Sequence, residues 1–340
     1  MDIGRECPAL VYGMTPILEV QNLHVAYTDR AGGVYPALAD ISFALGPGEI
    51  LGVLGESGSG KSTLAASVLQ LLPVNGKIRE GLIVFEGKNL LKVSPQELRK
   101  IRGGRIGLIF QEPSSSLHPT LQVGHQVSDV LAAHEHLARR ALNEKTGKLL
   151  ASVFPENAER IARSYPHELS GGQRQRVLIA QAIACGPSLV VADEPTASLD
   201  PTTQKEILQL FRTLRQKIGL AMILITHNSA LLAGLADRIL VLYAGRVAEI
   251  GPTARVLSAP QHPYTAALLR CLPTDFAEGK STRKASLHVI PGDPPDLSLR
   301  GRGCQFEPRC TERMEVCKCD EPAAAEVSEL HEVSCFKFAS

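Results

Sequence analysis

The stretch Gly55-Glu56-Ser57-Gly58-Ser59-Gly60-Lys61-Ser62 constrains this chain more than any other part of it. It fits the pattern G-x-x-x-x-G-K-[ST]. It also lies where the chemistry needs it, between the apolar run Ile50 to Leu54, which reads as a buried strand, and the run Lys61 to Leu72, which reads as a helix stopped by Pro73. Gly55, Gly58 and Gly60 let the backbone wrap phosphate oxygens without a Cβ in the way. The loop amides, Ser57 included, and the helix N-terminus then form an anion site. Lys61 is expected to neutralise the β- and γ-phosphates, and Ser62 to offer its hydroxyl to Mg²⁺, with Thr63 beside it in the same site. An ordinary Gly-rich turn is the bland reading; the flanking strand and helix argue against it.

The rest of the chain alternates in the way such a loop requires. Ile17 to Val25 and Ile41 to Leu45 read as strands around a Gly32-Gly33 turn, and Leu82 to Phe85 and Ile106 to Phe110 as further strands. From about Gln122 to Arg163 the apolar spacing turns helical, which reads as a helical insertion. After a helix from Ser170 to about Cys185 come Leu189 to Ala192, a helix from Thr202 to Lys217, Ala221 to Thr226, a helix from Ser229 to Leu235, and Ile239 to Tyr243. Strands alternating with helices predict an α/β fold with a parallel sheet. Residues 1–13 show no pattern, so Met14 is a candidate start, and residues 274–303 read as a tether.

Leu189-Val190-Val191-Ala192 runs into Asp193-Glu194-Pro195. A carboxylate at the C-terminal end of a parallel strand sits in the ligand crevice. Asp193 is placed to hold Mg²⁺, and Glu194 to polarise an attacking water as general base.

Composition narrows the setting. The 340 residues carry a formal net charge of +1, which gives no nucleic-acid signature. No apolar run approaches the ~20 residues a membrane span needs, and no N-terminal stretch looks like a secretory leader. The expectation is a cytoplasmic protein whose membrane contact runs through a partner.

Leu169-Ser170-Gly171-Gly172-Gln173-Arg174-Gln175-Arg176 resembles the signature motif of ABC ATPases. The resemblance spans about Ile17 to Gly251. It implies a P-loop ABC nucleotide-binding domain with an antiparallel β part and a helical subdomain, binding ATP and Mg²⁺. In that family the Ser170-Gly171-Gly172 turn closes on ATP held by the opposite subunit, so a second ATPase subunit, identical or different, is implied. Tyr27 resembles the aromatic that stacks on adenine, and Gln111 the glutamine that senses Mg²⁺ and the attacking water. Ser198-Leu199-Asp200 resembles the loop coupling the two sites, and His227 the histidine that contacts the γ-phosphate.

Two features narrow the resemblance to importers of oligopeptides, dipeptides and nickel. Gln111-Glu112-Pro113-Ser114-Ser115-Ser116-Leu117-His118-Pro119 resembles their glutamine loop, with His118 where Asn is usual. His262-Pro263-Tyr264-Thr265, Ile290-Pro291-Gly292 and Gly303-Cys304-Gln305-Phe306-Glu307-Pro308-Arg309-Cys310 resemble their C-terminal extension. The implied division is an ATPase domain over 14–252, with the helical subdomain at about 112–168, and an extension over 253–340. The implied partners are two transmembrane permease subunits and, indirectly, a solute-binding protein, at the cytoplasmic face of the cell membrane. Peptides lead as substrate, nickel chelates and glutathione-like solutes follow, and a soluble ABC ATPase without a transport role is the alternative from another class.

Cys304, Cys310, Cys317 and Cys335 crowd the tail at C-x5-C-x6-C-x17-C spacing, with Cys319 extra. Four thiolates suit Zn²⁺ or an iron–sulfur cluster, and free thiols are the third reading. The wide spacing and the resemblance lean toward [4Fe–4S], holding together a small lobe poor in apolar bulk.

Overall fold

The computed structural model describes residues 15–111, 116–271, 288–296 and 301–338. The unpatterned N-terminus with its candidate start at Met14, residues 112–115 of the glutamine loop and most of the tether lie outside the described residues.

From the N-terminus, β1 (Leu18–Thr28), β2 (Val34–Leu45) and β3 (Ile50–Leu54) lead to α1 (Lys61–Val68), β4 (Gly76–Phe85) and the short β5 (Lys88–Asn89). α2 (Pro95–Ile101) and β6 (Ile106–Ile109) precede α3 (Val123–His134), α4 (Arg139–Val153) and α5 (Ala158–Arg163). Then follow α6 (Gly171–Ile183), β7 (Leu189–Asp193), α7 (Pro201–Ile218), β8 (Ala221–Ile225), α8 (Ser229–Ala233), β9 (Arg238–Tyr243) and β10 (Arg246–Pro252). The tail adds α9 (Thr253–Ser258), α10 (Pro263–Arg270), α11 (Val316–Cys319), β11 (Ala325–Ser328) and β12 (His331–Val333). The described residues divide into two compact units, one drawn from 1–46, 50–91 and 226–340, the other from 47–49 and 92–225.

In the first unit β1 pairs antiparallel with both β2 and β4, which sets Tyr27 between Tyr35 and Gly76. β3 is buried along its whole length and runs parallel to β9, Leu54 opposite Val241. β9 turns back into β10 through Ala244 and Gly245, both at positive φ, as a tight hairpin requires. β10 pairs with β12, so the C-terminal residues close the same unit that carries the phosphate loop.

In the second unit β6, β7 and β8 are parallel neighbours. A Cβ on Gly107 of β6 would lie 2.2 Å from the Ala182 carbonyl, so only glycine lets α6 come this close. The helical spacing read over 122–163 is realised as α3, α4 and α5.

Several boundaries moved. α1 ends at Val68 rather than Leu72: the chain turns at Gln70 (φ 50°), whose side chain bonds the Leu90 carbonyl. The strand expected over 82–85 starts at Gly76, because β1 supplies ladder partners down to Tyr27. The final hairpin and the elements of the tail carry no periodicity strong enough to read from sequence.

Candidate nucleotide site

The phosphate loop leaves β3 at Leu54 and enters α1 at Lys61. Gly60 caps that helix at φ 105°, and a Cβ there would sit 2.7 Å from Leu38 and 3.0 Å from the Ala37 carbonyl. Lys61 is 7% exposed, its ammonium donating to the Gly55 and Glu56 carbonyls at 2.8 Å each. Ser57, Gly58 and Ser62 are exposed, while the Ser59 hydroxyl is buried without a hydrogen-bond partner among the described residues. α1 has no acidic residue in its first turn, leaving its positive end uncompensated. These features fit a polyphosphate: exposed loop residues, a helix N-terminus and a cation held at the loop. The Tyr27 ring stands nearby, its hydroxyl 3.2 Å from that of Thr63.

His227 is exposed in the turn after β8. That turn is fixed on the phosphate-loop strand, the Thr226 amide donating to the Val53 carbonyl at 3.1 Å and Asn228 N–H to the Thr226 hydroxyl at 3.1 Å.

In the second unit, Ile109 of β6 lies opposite Ala192 of β7. Gln111 and Asp193 therefore emerge at the same carboxyl edge of adjacent strands, where α/β sheets bind ligands. Glu194 follows at φ 46°, a strained conformation for a side chain of this size. It is held by its amide to the Ile225 carbonyl at 3.0 Å and by its own carbonyl, which accepts from Ala197 N–H at 3.2 Å.

The Ser170 turn is built as a capping box. The Ser170 hydroxyl accepts from Gln173 N–H at 3.3 Å, and the Gln173 side chain accepts from Ser170 N–H at 3.0 Å. Gly171 and Gly172 lie against the Ser198–Asp200 loop and the helix it starts. A Cβ on Gly171 would meet Leu199 at 3.5 Å, and one on Gly172 would meet Thr203 at 2.3 Å. Asp200 caps α7, accepting from Thr202 and Thr203 amides at 3.1 and 3.0 Å. The Thr203 hydroxyl and then its amide hold the Asp200 carboxyl below the ordinary carboxylate range.

Sequence reasoning missed how the tail meets the phosphate loop. Glu249, fully buried on β10, accepts from the Gln261 and His262 amides at 2.9 Å each and pairs with His331 Nε2 at 2.8 Å. His262 in turn caps α10, its Nδ1 accepting from Tyr264 N–H at 3.0 Å, with Pro263 at the first helical position. Tyr264 is thereby set with its hydroxyl accepting from Glu56 N–H at 2.9 Å. Arg309 grips the Glu56 carboxylate with both terminal nitrogens, at 2.8 and 3.1 Å. The residues stood in quoted motifs, but nothing local signals the contact.

Cys304, Cys310, Cys317 and Cys335 line one small cavity with Phe306, Met314, Pro263 and Pro322, whereas Cys319 is exposed away from it. Burial raises the Cys304 thiol to about 11, and the Cys310 and Cys335 thiols rise for the same reason. Among the described residues no three His, Cys, Asp or Glu side chains are grouped as a site for a single metal ion.

Residues 38–197 match the family model described as "ABC transporter", and residues 248–317 match "Oligopeptide/dipeptide transporter, C-terminal region". The dipeptide transport ATP-binding protein DppD of Bacillus subtilis (strain 168) is 42% identical over 325 residues, covering 95% of each chain. The oligopeptide transport ATP-binding protein OppD of Escherichia coli (strain K12) is 40% identical over 321 residues, 94% of this chain and 93% of that one. Among solved structures, the dimeric ATP-binding cassette MJ0796 in a post-hydrolysis state with ADP and Pi superposes with a TM-score of 0.62 at 29% identity, over 69% of this chain and 98% of that one. The cbiO1 protein of Clostridium perfringens, part of the ABC transporter complex cbiONQ, gives 0.63 at 30%, over 72% and 92%.

Proposed function

This chain belongs to the ATP-binding subunits of the oligopeptide/dipeptide ABC transporters, and from that premise we propose that it hydrolyses ATP to drive peptide import through a membrane permease. The observation that carries this reading is a complete set of nucleotide-site residues in one chain with the peptide-transporter C-terminal region. Nickel chelates and the non-transport reading have no comparable support.

The site residues take separate roles. Tyr27 stacks on adenine. The loop residues Gly55, Ser57, Gly58, Gly60, Ser62 and Thr63 and the Lys61 ammonium hold the phosphates, and Ser62, Gln111 and Asp193 are the residues that would hold Mg²⁺. The ion supplies charge neutralisation on the phosphate oxygens. Glu194 takes a proton from the water that attacks the γ-phosphorus, the bond to the β-phosphate bridging oxygen breaks, and ADP and phosphate leave. His227 steadies the γ-phosphate oxygens. The Ser170-Gly171-Gly172 turn offers a second anion site to ATP held by another ATPase subunit, a reading supported by the dimeric state of the structural neighbour. Whether that subunit is a copy or a relative, two permease subunits anchor the pair at the cytoplasmic face, fed by a solute-binding protein. Among the described residues no helix is long and apolar enough to cross a membrane.

The four thiols that line one cavity are the support for a [4Fe–4S] cluster in the tail, with zinc or free thiols as the alternatives. Anaerobic purification should yield iron and a charge-transfer band at ~400 nm; the absence of both would rule out the cluster.

The decisive experiment co-purifies this chain with its permease in vesicles and compares di- and oligopeptides, nickel chelates and glutathione. ATP-dependent peptide uptake is expected. Uptake of none of them, or ATPase activity indifferent to the permease, overturns the reading.

A further inference from the structure

Glu56, the second residue of the phosphate loop, is held at three groups. Its amide donates to the Tyr264 hydroxyl at 2.9 Å, its carbonyl accepts the Lys61 ammonium at 2.8 Å, and its carboxylate takes both ends of the Arg309 fork. Two of these three holds come from the C-terminal lobe. Arg309 is itself immobilised there. Its side chain is 5% exposed, its Nε donates to the Pro291 carbonyl at 3.0 Å, one terminal nitrogen also reaches the Tyr243 hydroxyl at 3.3 Å, and its guanidinium lies 5.9 Å from the centre of the Tyr243 ring. Tyr243, Tyr264 and Phe306 pack ring against ring behind it, with centroids 4.4 to 5.4 Å apart. A fork fixed on so many sides sets the position of its partner rather than following it.

The electrostatics make this pairing consequential. A loop that must cradle a triphosphate carries a carboxylate one residue after its first glycine. Unpaired, that charge would oppose the phosphates; held by Arg309, it is neutralised and directed toward the lobe. The same contact fixes the Glu56 carbonyl, on which the Lys61 ammonium rests.

We propose that Arg309 is a positioning residue for nucleotide binding: by gripping Glu56 it makes the affinity of the phosphate loop depend on the state of the C-terminal lobe. Whatever disturbs the turn Phe306 to Cys310 reaches the phosphates through two side chains. The proposal rests on the ATP-binding assignment above.

The test measures binding of ATP and ADP to the full-length chain, by titration calorimetry at low and high salt, for R309M, R309K, E56Q and E56Q/R309M. R309M should bind ATP roughly tenfold more weakly, with a smaller loss for ADP, and the deficit should shrink as salt screens the exposed carboxylate. R309K keeps the charge without the fork and should fall between. E56Q loses the grip but leaves no carboxylate facing the phosphates, so it should lose less ATP affinity than R309M, and adding R309M to E56Q should cost little more, which a structural role for Arg309 independent of Glu56 would not allow. Unchanged ATP affinity in R309M overturns the proposal, and so does a double variant as weak as R309M. Should R309M fail to fold, R309K decides: a partial loss of ATP affinity supports the fork, and affinity equal to wild type overturns the proposal. Failure of the wild type to bind ATP would instead sink the ATPase assignment.

Discussion

The Tyr27 hydroxyl lies 3.2 Å from the Thr63 hydroxyl. The end of β1 is thus tied to the first turn of α1, and the ring is held beside the phosphate loop by a strand and a helix at once. Gly76, opposite on β4, leaves the space the ring occupies: a Cβ there would come within 2.7 Å of it.

Tyr27→Phe should therefore bind ATP nearly as well as wild type, since the ring remains and only one half-buried hydrogen bond is lost. Tyr27→Ala should weaken binding about three- to tenfold, the size of a lost aromatic stack. Equilibrium binding of ATP and of a nucleotide with a smaller base separates ring from hydroxyl.

Lys61 and Glu194 should fail in different ways. Lys61→Ala removes the cation at the phosphate loop and should raise the dissociation constant for ATP. Glu194→Gln leaves the phosphate loop intact and should lower steady-state hydrolysis in the assembled transporter by about 10²-fold or more, with ATP affinity retained. Near-normal turnover in the glutamine variant would show that another group takes the proton.

Gly172 has no room for a side chain, because Thr203 is pinned by its bond to Asp200. Gly172→Ala should leave ATP binding to the isolated chain unchanged yet cut turnover in the assembled transporter roughly tenfold, about 1.4 kcal/mol. Thr203→Ser removes the clashing methyl and keeps the hydroxyl, so the double variant should recover activity.

Glu249 joins β10 to the tail. Burial would raise its pKa, but bonds from His331 and from the Gln261 and His262 amides outweigh that and leave it lowered. A carboxyl with a depressed folded pKa stabilises the fold above its unfolded value, about 4.3, and loses that contribution as pH falls through the folded value. Glu249→Gln should cost about 2 to 3 kcal/mol at neutral pH, and the deficit should shrink below pH 4. Thermal unfolding across pH reads both effects; a deficit that stays constant with pH would mean the charge is not what matters.

Local geometry was legible in the chain. The glycine turn before Lys61, the Ser170 cap and the Asp193-Glu194 end of β7 are each marked by residue types within a few positions. Element ends were less legible. α1 stops early because Gln70 finds a partner at Leu90, and β4 begins early because β1 offers it a ladder. Neither partner is written in the segment it terminates.

What only the tertiary structure decided is which distant residues share a task. Arg309 and Glu56 stand 253 positions apart, and His331 and Glu249 stand 82 apart. The sequence holds the donors and the acceptors. Whether a given arginine meets a given glutamate depends on where β10, α10 and the Cys304 turn bring the chain back. That return path is set by packing and buried hydrogen bonds summed over many residues, which no short motif encodes.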